Sequence, residues 1–331
     1  MKKLTALLGC FVLMLAAGTA FASSGPGGYP SGPIQVVVTF SAGAATDFQA
    51  RIATQPAQKY FGQPMVIQNM PGAGGMTGWN WVIDRGSRDG LTMTTYNMPH
   101  TVAQSLVQAA SNFTVESWQP IANFGSDPAV LVVPVGSNIQ NVADFVSFAK
   151  ANPRRLTVNG AGLFVGHHVA TLQLQQAADI QVTYVPEQGA ADALASLYGN
   201  AVMAGFTNLS DASRATDRLR ILAIANKDRH PLLPNTPTFL ELGINVDDSS
   251  SNFRGLAFPV GVPEEIVAWA SEQAVKMFND PEVVNRMAET NSPMLIMNRK
   301  EATELFHRQR EALIKLFDAQ PDITVRADRR I

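Results

Sequence analysis

The sequence predicts an α/β protein of two lobes, each lobe a mostly parallel sheet flanked by helices. Three observations predict it. Short β-branched runs bounded by turn residues alternate with helix-length amphipathic stretches, the pattern of successive βαβ units. The chain has 331 residues, 46% of them hydrophobic, which is more than one core usually organises. The same glycine spacing also occurs twice, in Gly72-Ala73-Gly74-Gly75-Met76-Thr77-Gly78 and in Gly160-Ala161-Gly162-Leu163-Phe164-Val165-Gly166. Each copy lies between an expected strand and an expected helix.

The elements follow in order. Residues 1–22 read as a secretory signal peptide: Lys2 and Lys3 precede an apolar run from Leu4 to Ala17, and Ala20-Phe21-Ala22 supplies small residues for cleavage after Ala22. The apolar run is short for a membrane span. Cys10 is the only cysteine, so the exported chain would carry no thiol. Cleavage removes two lysines from a formal net charge of only −2. Such a balance marks neither a nucleic-acid binder nor a membrane-surface binder.

After a Gly/Pro/Ser-rich leader at 23–33, residues 34–40 read as a buried parallel strand. The loop Ser41 to Asp47 opens a helix that runs to about Tyr60 and is ended by Gly62-Gln63-Pro64. A strand at 65–68, the first glycine loop, a helix to about Asp84 and a strand at 91–96 come next. A second series begins with a strand at 130–133 and a helix at 142–151, then a strand at 156–158, the second glycine loop and a helix at 167–178. Strands at 182–185, 202–206 and 220–225 follow, with a helix at 190–197 between the first two. The chain ends with a strand at 255–258, a helix at 264–278 and an amphipathic helix at 300–317, whose Leu305, Leu313 and Leu316 can cover a sheet. Exchange of chain between the lobes is expected near 122–127 and 249–255. That assigns 30–123 plus 254–331 to the first lobe and 124–253 to the second.

Glycine brings bare backbone close to a ligand, and the unpaired N–H groups of a helix start favour negative charge. The two loops therefore point to an anion held by backbone. A dinucleotide is excluded because the third glycine of the Gly72 loop comes one place late and Thr94-Thr95-Tyr96-Asn97 supplies no acid for a ribose. Neither loop carries the Lys-Ser/Thr of a nucleotide phosphate loop, and no G-x-S-x-G elbow occurs. His100, His167, His168, His230 and His307 include no i, i+4 pair for a metal. No cofactor and no metal are expected. Asp47 either caps its helix or accepts from a ligand. His167 either donates to a ligand or caps and packs. Trp79 and Trp81, two residues apart on a helix, cannot share a face, so one packs and the other can line the cleft.

Four stretches carry a family resemblance. They are Phe40-Ser41-Ala42-Gly43-Ala44-Ala45-Thr46-Asp47, Gly62-Gln63-Pro64-Met65-Val66-Ile67-Gln68-Asn69-Met70-Pro71-Gly72-Ala73-Gly74-Gly75, Leu233-Pro234-Asn235-Thr236-Pro237-Thr238-Phe239 and Arg254-Gly255-Leu256-Ala257-Phe258-Pro259-Val260-Gly261-Val262-Pro263. From Tyr29 to the C-terminus the chain resembles, in the same order, the substrate-binding proteins of the tripartite tricarboxylate transporters, the TctC or Bug family. The resemblance implies a two-lobed periplasmic binding protein of the Venus-flytrap, type II-like kind. Such a protein is a monomer and not an enzyme, and it captures a small carboxylate for a two-subunit integral-membrane permease (TctA/TctB-like).

Transferred residue by residue, the resemblance nominates Ser41, Ala42, Gly43, Ala44 and Asp47, then Ala73, Gly74, Gly75 and Thr77. In the second lobe it points to Gly162, Leu163, Phe164 and His167; Asn97 and Thr207 complete the candidate ligand-binding set. Leu163 and Phe164 stand where the family's second glycine is usually followed by Ser or Thr, and residues 204–208 lack the acid often found there. A hydroxyl-poor wall is a poor partner for a second carboxylate. The expected ligand therefore has one carboxylate and an apolar or aromatic body, or is a dicarboxylate whose distal end is held otherwise. The alternatives are a sensing subunit for a membrane kinase and an exported enzyme. The enzyme would have only Asp47 and His167 as candidate groups, on opposite lobes.

Overall fold

The computed structural model describes residues 24–329; the expected signal peptide lies outside the described residues. The chain lays down β1 (Ile34–Val38), β2 (Met65–Asn69), β3 (Thr92–Met98) and β4 (Trp118–Asp127), then leaves for a second sheet. There it forms β5 (Ala129–Pro134), β6 (Thr157–Gly160), β7 (Thr183–Pro186), β8 (Ala204–Asn208) and β9 (Leu219–Ile224). It returns to the first sheet with β10 (Asn252–Pro259) and β11 (Met294–Met297). The spatial orders are β11-β4-β10-β3-β1-β2 and β7-β6-β8-β5-β9.

Two α/β lobes result, and both sheets are mixed rather than mostly parallel. β1 runs parallel to β2 and β3, and β6 runs parallel to β7 and β8, because helices connect them. β10 is antiparallel to both β3 and β4. The cause is the crossing itself: β4 leaves the first sheet toward the second, and β10 comes back along the same line, so it points the other way. The crossings lie between Asp127 and Ala129 and between Ser250 and Asn252, and Asn252 pairs directly with Asp127. The expected boundaries at 123/124 and 253/254 fall inside β4 and β10.

Alternation along β1 sends Val36 and Val38 to one face and Val37 to the other. On the first face they meet helices Ala45–Thr54, Ala57–Phe61, Glu264–Phe278 and Pro281–Glu289, with Leu256 and Phe258. On the second, Val37, Tyr96 and Met98 pack under helices Met76–Arg85, His100–Val107 and Arg299–Asp318. Trp79 is fully buried there, its indole N–H donating to the Thr95 carbonyl at 2.9 Å, and Trp81 packs against the same core. Both tryptophans serve packing. The second lobe closes around Leu131, Val133, Val158 and Phe206. No helix among the described residues is long and apolar enough to cross a membrane.

Candidate functional site

Because β1 and β2 are parallel neighbours, the loops that follow them emerge at the same end of the sheet. The first loop leads into helix Ala45–Thr54, whose start at Ala44 has no side-chain cap. Asp47 does not fill that place. Its carboxylate, in a residue only 2% exposed, accepts from the Gly43 N–H at 2.8 Å, from Arg51 Nε at 3.0 Å and from Asn69 Nδ2 at 2.8 Å. Burial pushes the Asp47 pKa up, but Arg51, the Gly43 amide and Asn69 outweigh it and hold the carboxyl below its ordinary value. Asn69 also donates to the Phe40 carbonyl at 3.0 Å. Asp47 thus fixes the first loop against the end of β2, and its oxygens are taken by that task.

The second loop holds four consecutive residues at positive φ: Gly72 at 137°, Ala73 at 47°, Gly74 at 65° and Gly75 at 101°. Three of the four are glycines, which adopt positive φ at no steric cost, and Ala73 is the exception. At Gly75 the missing side chain also admits the Trp79 ring, since an added Cβ would sit 2.6 Å from it. Helix Met76–Arg85 starts at Gly75, again without a side-chain cap. Two uncapped helix starts therefore lie on adjacent strands, each presenting positively polarised amides. Thr77 folds over Gly72, its Oγ1 2.6 Å from where a Cβ would stand.

In the second lobe two adjacent histidines brace the other glycine loop. His167 Nδ1 accepts from the Ala161 N–H at 3.1 Å, which places the ring proton on Nε2, 3.4 Å from Asn208 Oδ1. His168 Nδ1 accepts from the Phe164 N–H at 3.1 Å and its ring stacks on Tyr184, whose hydroxyl donates to the Gly162 carbonyl at 2.8 Å. His167 thus caps the loop, and both of its nitrogens have partners within its own lobe. The Phe164 ring packs on Phe317 of helix Arg299–Asp318 with centroids 5.8 Å apart, so it joins the lobes rather than forming an open wall. Leu163 remains 46% exposed. Thr207 is buried in β8. Asn97, buried in β3, donates to Thr46 Oγ1 at 2.9 Å and to Asn252 Oδ1 at 3.0 Å, tying the first helix start to the returning strand.

Burial pushes the pKa of His167 and of His168 down to about 4. Unfolded, both titrate near 6.5, so their contribution to stability is fully present above about pH 6.5 and lost as pH falls toward their folded values, roughly 3 kcal/mol each. The melting temperature is expected to drop between about pH 7 and pH 4.5, and to drop less in His168→Gln. Equal drops in the two proteins would remove His168 from the account.

The two glycine loops face each other. Gln104 Nε2, from helix His100–Val107, donates to the Leu163 carbonyl at 3.1 Å, and a Cβ on Gly74 would stand 2.5 Å from that Nε2 and 3.7 Å from that carbonyl. At the crossings lies a group that the sequence reading did not single out. Asp127 and Arg254 have no exposed side-chain surface, and Arg254 Nη1 donates to Asp127 Oδ2 at 3.1 Å and to Gln49 Oε1 at 2.9 Å. Asp127 also accepts from the Ser210 N–H at 3.0 Å and its hydroxyl at 2.6 Å. One ion pair thus holds both crossing strands and the second lobe. A lone arginine in the apolar strand Asn252–Pro259 was the available signal, because a buried cation needs a buried acid.

A family model described as the TctC tripartite tricarboxylate transporter family receptor matches residues 49–317. The chain belongs to this family. Protein BugT of Bordetella pertussis is 29% identical to the receptor over 292 residues, 87% of this chain and 88% of BugT. A TctC solute-binding protein from Polaromonas is 25% identical, with a TM-score of 0.71 over 88% of this receptor and 100% of that chain. MatC from Rhodopseudomonas palustris, solved with bound malate, shares the fold at 23% identity and a TM-score of 0.77, covering 87% and 99% of the two chains.

Proposed function

We propose that this TctC receptor is exported to the periplasm, cleaved after Ala22 and active as a monomer that captures a small carboxylate between its lobes. The reading rests on the two uncapped helix starts on adjacent parallel strands, set opposite the second glycine loop. Amides fixed in this way receive a carboxylate without a counter-charge and without reorganising. Ser41, Ala42, Ala73 and Gly74 supply the amides, while the Gly43 N–H on Asp47, the Ala44 N–H on the Ser41 carbonyl and the Gly75 and Thr77 N–H groups on the Gly72 carbonyl hold the two loops in shape. The second lobe closes over the ligand, and the shift toward the closed form is set by the ligand's differential affinity for it. A two-subunit permease then takes up the closed form. No bond is made or broken.

Half-exposed Leu163, next to the Gly74 backbone, and Phe40, which packs edge-on against His100 and Trp79, favour a hydrocarbon ligand body. The test is a thermal-shift and calorimetric series with malate, benzoate and citrate. At a hundred times Kd a ligand should stabilise the protein by about 2.7 kcal/mol, and the acid should be recovered unchanged. If no carboxylate raises the melting temperature, the cradle does not bind one.

A further inference from the structure

Arg254 is the only lysine or arginine among the described residues that is buried. Its Nη1 is satisfied by Asp127 and Gln49, but Nε and Nη2 have no hydrogen-bond partner. In a guanidinium those two nitrogens form one edge with parallel N–H bonds, the edge that takes a carboxylate in bidentate fashion. Leaving it unpaired in a buried cation is expensive.

Other buried polar atoms without partners lie on the same part of the chain. Asn97, the cross-strand neighbour of Arg254, has an unpaired Oδ1, and the Ser250 and Ser251 hydroxyls at the return crossing are also unpaired. A Cβ on Gly166 of the second lobe would run into the Ser250 carbonyl and stand 3.5 Å from Pro99 Cδ of the first lobe, so these groups lie on the seam between the lobes. Burial is the largest influence on three groups around the seam, and the charge of Arg254 reaches all of them: it adds to the fall that burial imposes on the pKa of His100 in the first lobe and His167 in the second, and opposes the rise that burial and Asp127 impose on Asp211.

The second glycine loop offers little to the far end of a diacid. Its Ala161 and Phe164 amides are spent on His167 and His168, and Leu163 and Phe164 carry no donor. We infer that Arg254 is a ligand-binding residue whose Nε/Nη2 edge takes a second carboxylate of the ligand at the seam, reached when the lobes part and enclosed when they close. This rests on the carboxylate-receptor reading and adds to it a dicarboxylate ligand and the residue that selects for it.

Protein labelled with ¹⁵N-arginine tests the inference without a substitution. Saturating malate should shift the Arg254 Nε–H resonance, assigned through its backbone connectivity, while benzoate should leave it in place. In calorimetry Arg254→Lys should weaken malate on the order of tenfold to a hundredfold and leave benzoate within about twofold, with the denaturation midpoint confirming that the variant is folded. Malate binding with an unmoved Arg254 resonance, or with equal affinity in Arg254→Lys, overturns this assignment and leaves the receptor reading standing. Failure of the wild-type protein to bind any of the acids overturns both.

Discussion

Gly74→Val is expected to lower carboxylate affinity by more than tenfold while costing the fold little. Valine at a φ of 65° is strained by about 1–2 kcal/mol, and its Cβ would meet the Gln104 amide at 2.5 Å. Gln104 can swing aside, but doing so gives up its 3.1 Å bond to the Leu163 carbonyl, the polar link between the facing loops. Strain at the amides and loss of that link therefore act together. Gly74→Ala should show the same effect in weaker form. Gln104→Ala separates the two causes, since it removes the link and leaves the loop relaxed. If Gln104→Ala alone reproduces the whole loss in calorimetry, the backbone cradle is not where affinity arises.

Asp127→Ala is expected to destabilise the protein by about 3–5 kcal/mol, the cost of stranding a buried charge. Arg254 has no exposed surface through which to recover solvation, and Ser210 loses the acceptor for both its amide and its hydroxyl. Pairing Asp127→Ala with Arg254→Met should restore most of the stability, because the remaining hole is apolar. Chemical denaturation of the single and double variants reads this directly, and a double variant no more stable than Asp127→Ala would refute the ion-pair account.

The parts of the fold legible from sequence were those with a single periodicity. β1 reads easily because Ile34, Val36, Val37 and Val38 are buried and β-branched. β4 escaped notice because Pro120, Asn123 and Gly125 break its pattern; it is a central strand whose neighbours on both sides supply the regularity that its own residues lack. Helix His100–Val107 was equally opaque, since nearly all of it is buried and it has no polar face to set a period.

At the site, the glycine loops could be found from spacing alone, but the work of individual side chains could not. Adjacent His167 and His168 offer no hint that each turns Nδ1 back onto a different amide of the preceding loop. Phe164 occupies a left-handed position that its type disfavours, and that conformation aims its ring at Phe317 instead of the cleft. Such orientations are set by tertiary neighbours far away in the chain.

The pairing of β4 with β10 has a mechanical consequence. Their hydrogen bonds continue to Asn252 and Asp127, the residues next to each crossing, so the two connections leave the first sheet side by side from one two-stranded ribbon. A ribbon bends readily across its flat face, yet it resists sliding, because one strand cannot advance past the other without breaking the ladder. If the lobes close as proposed, a movement close to a single angle is expected of them, like a book on its spine. One distance between a label on each lobe is then enough to follow the whole movement.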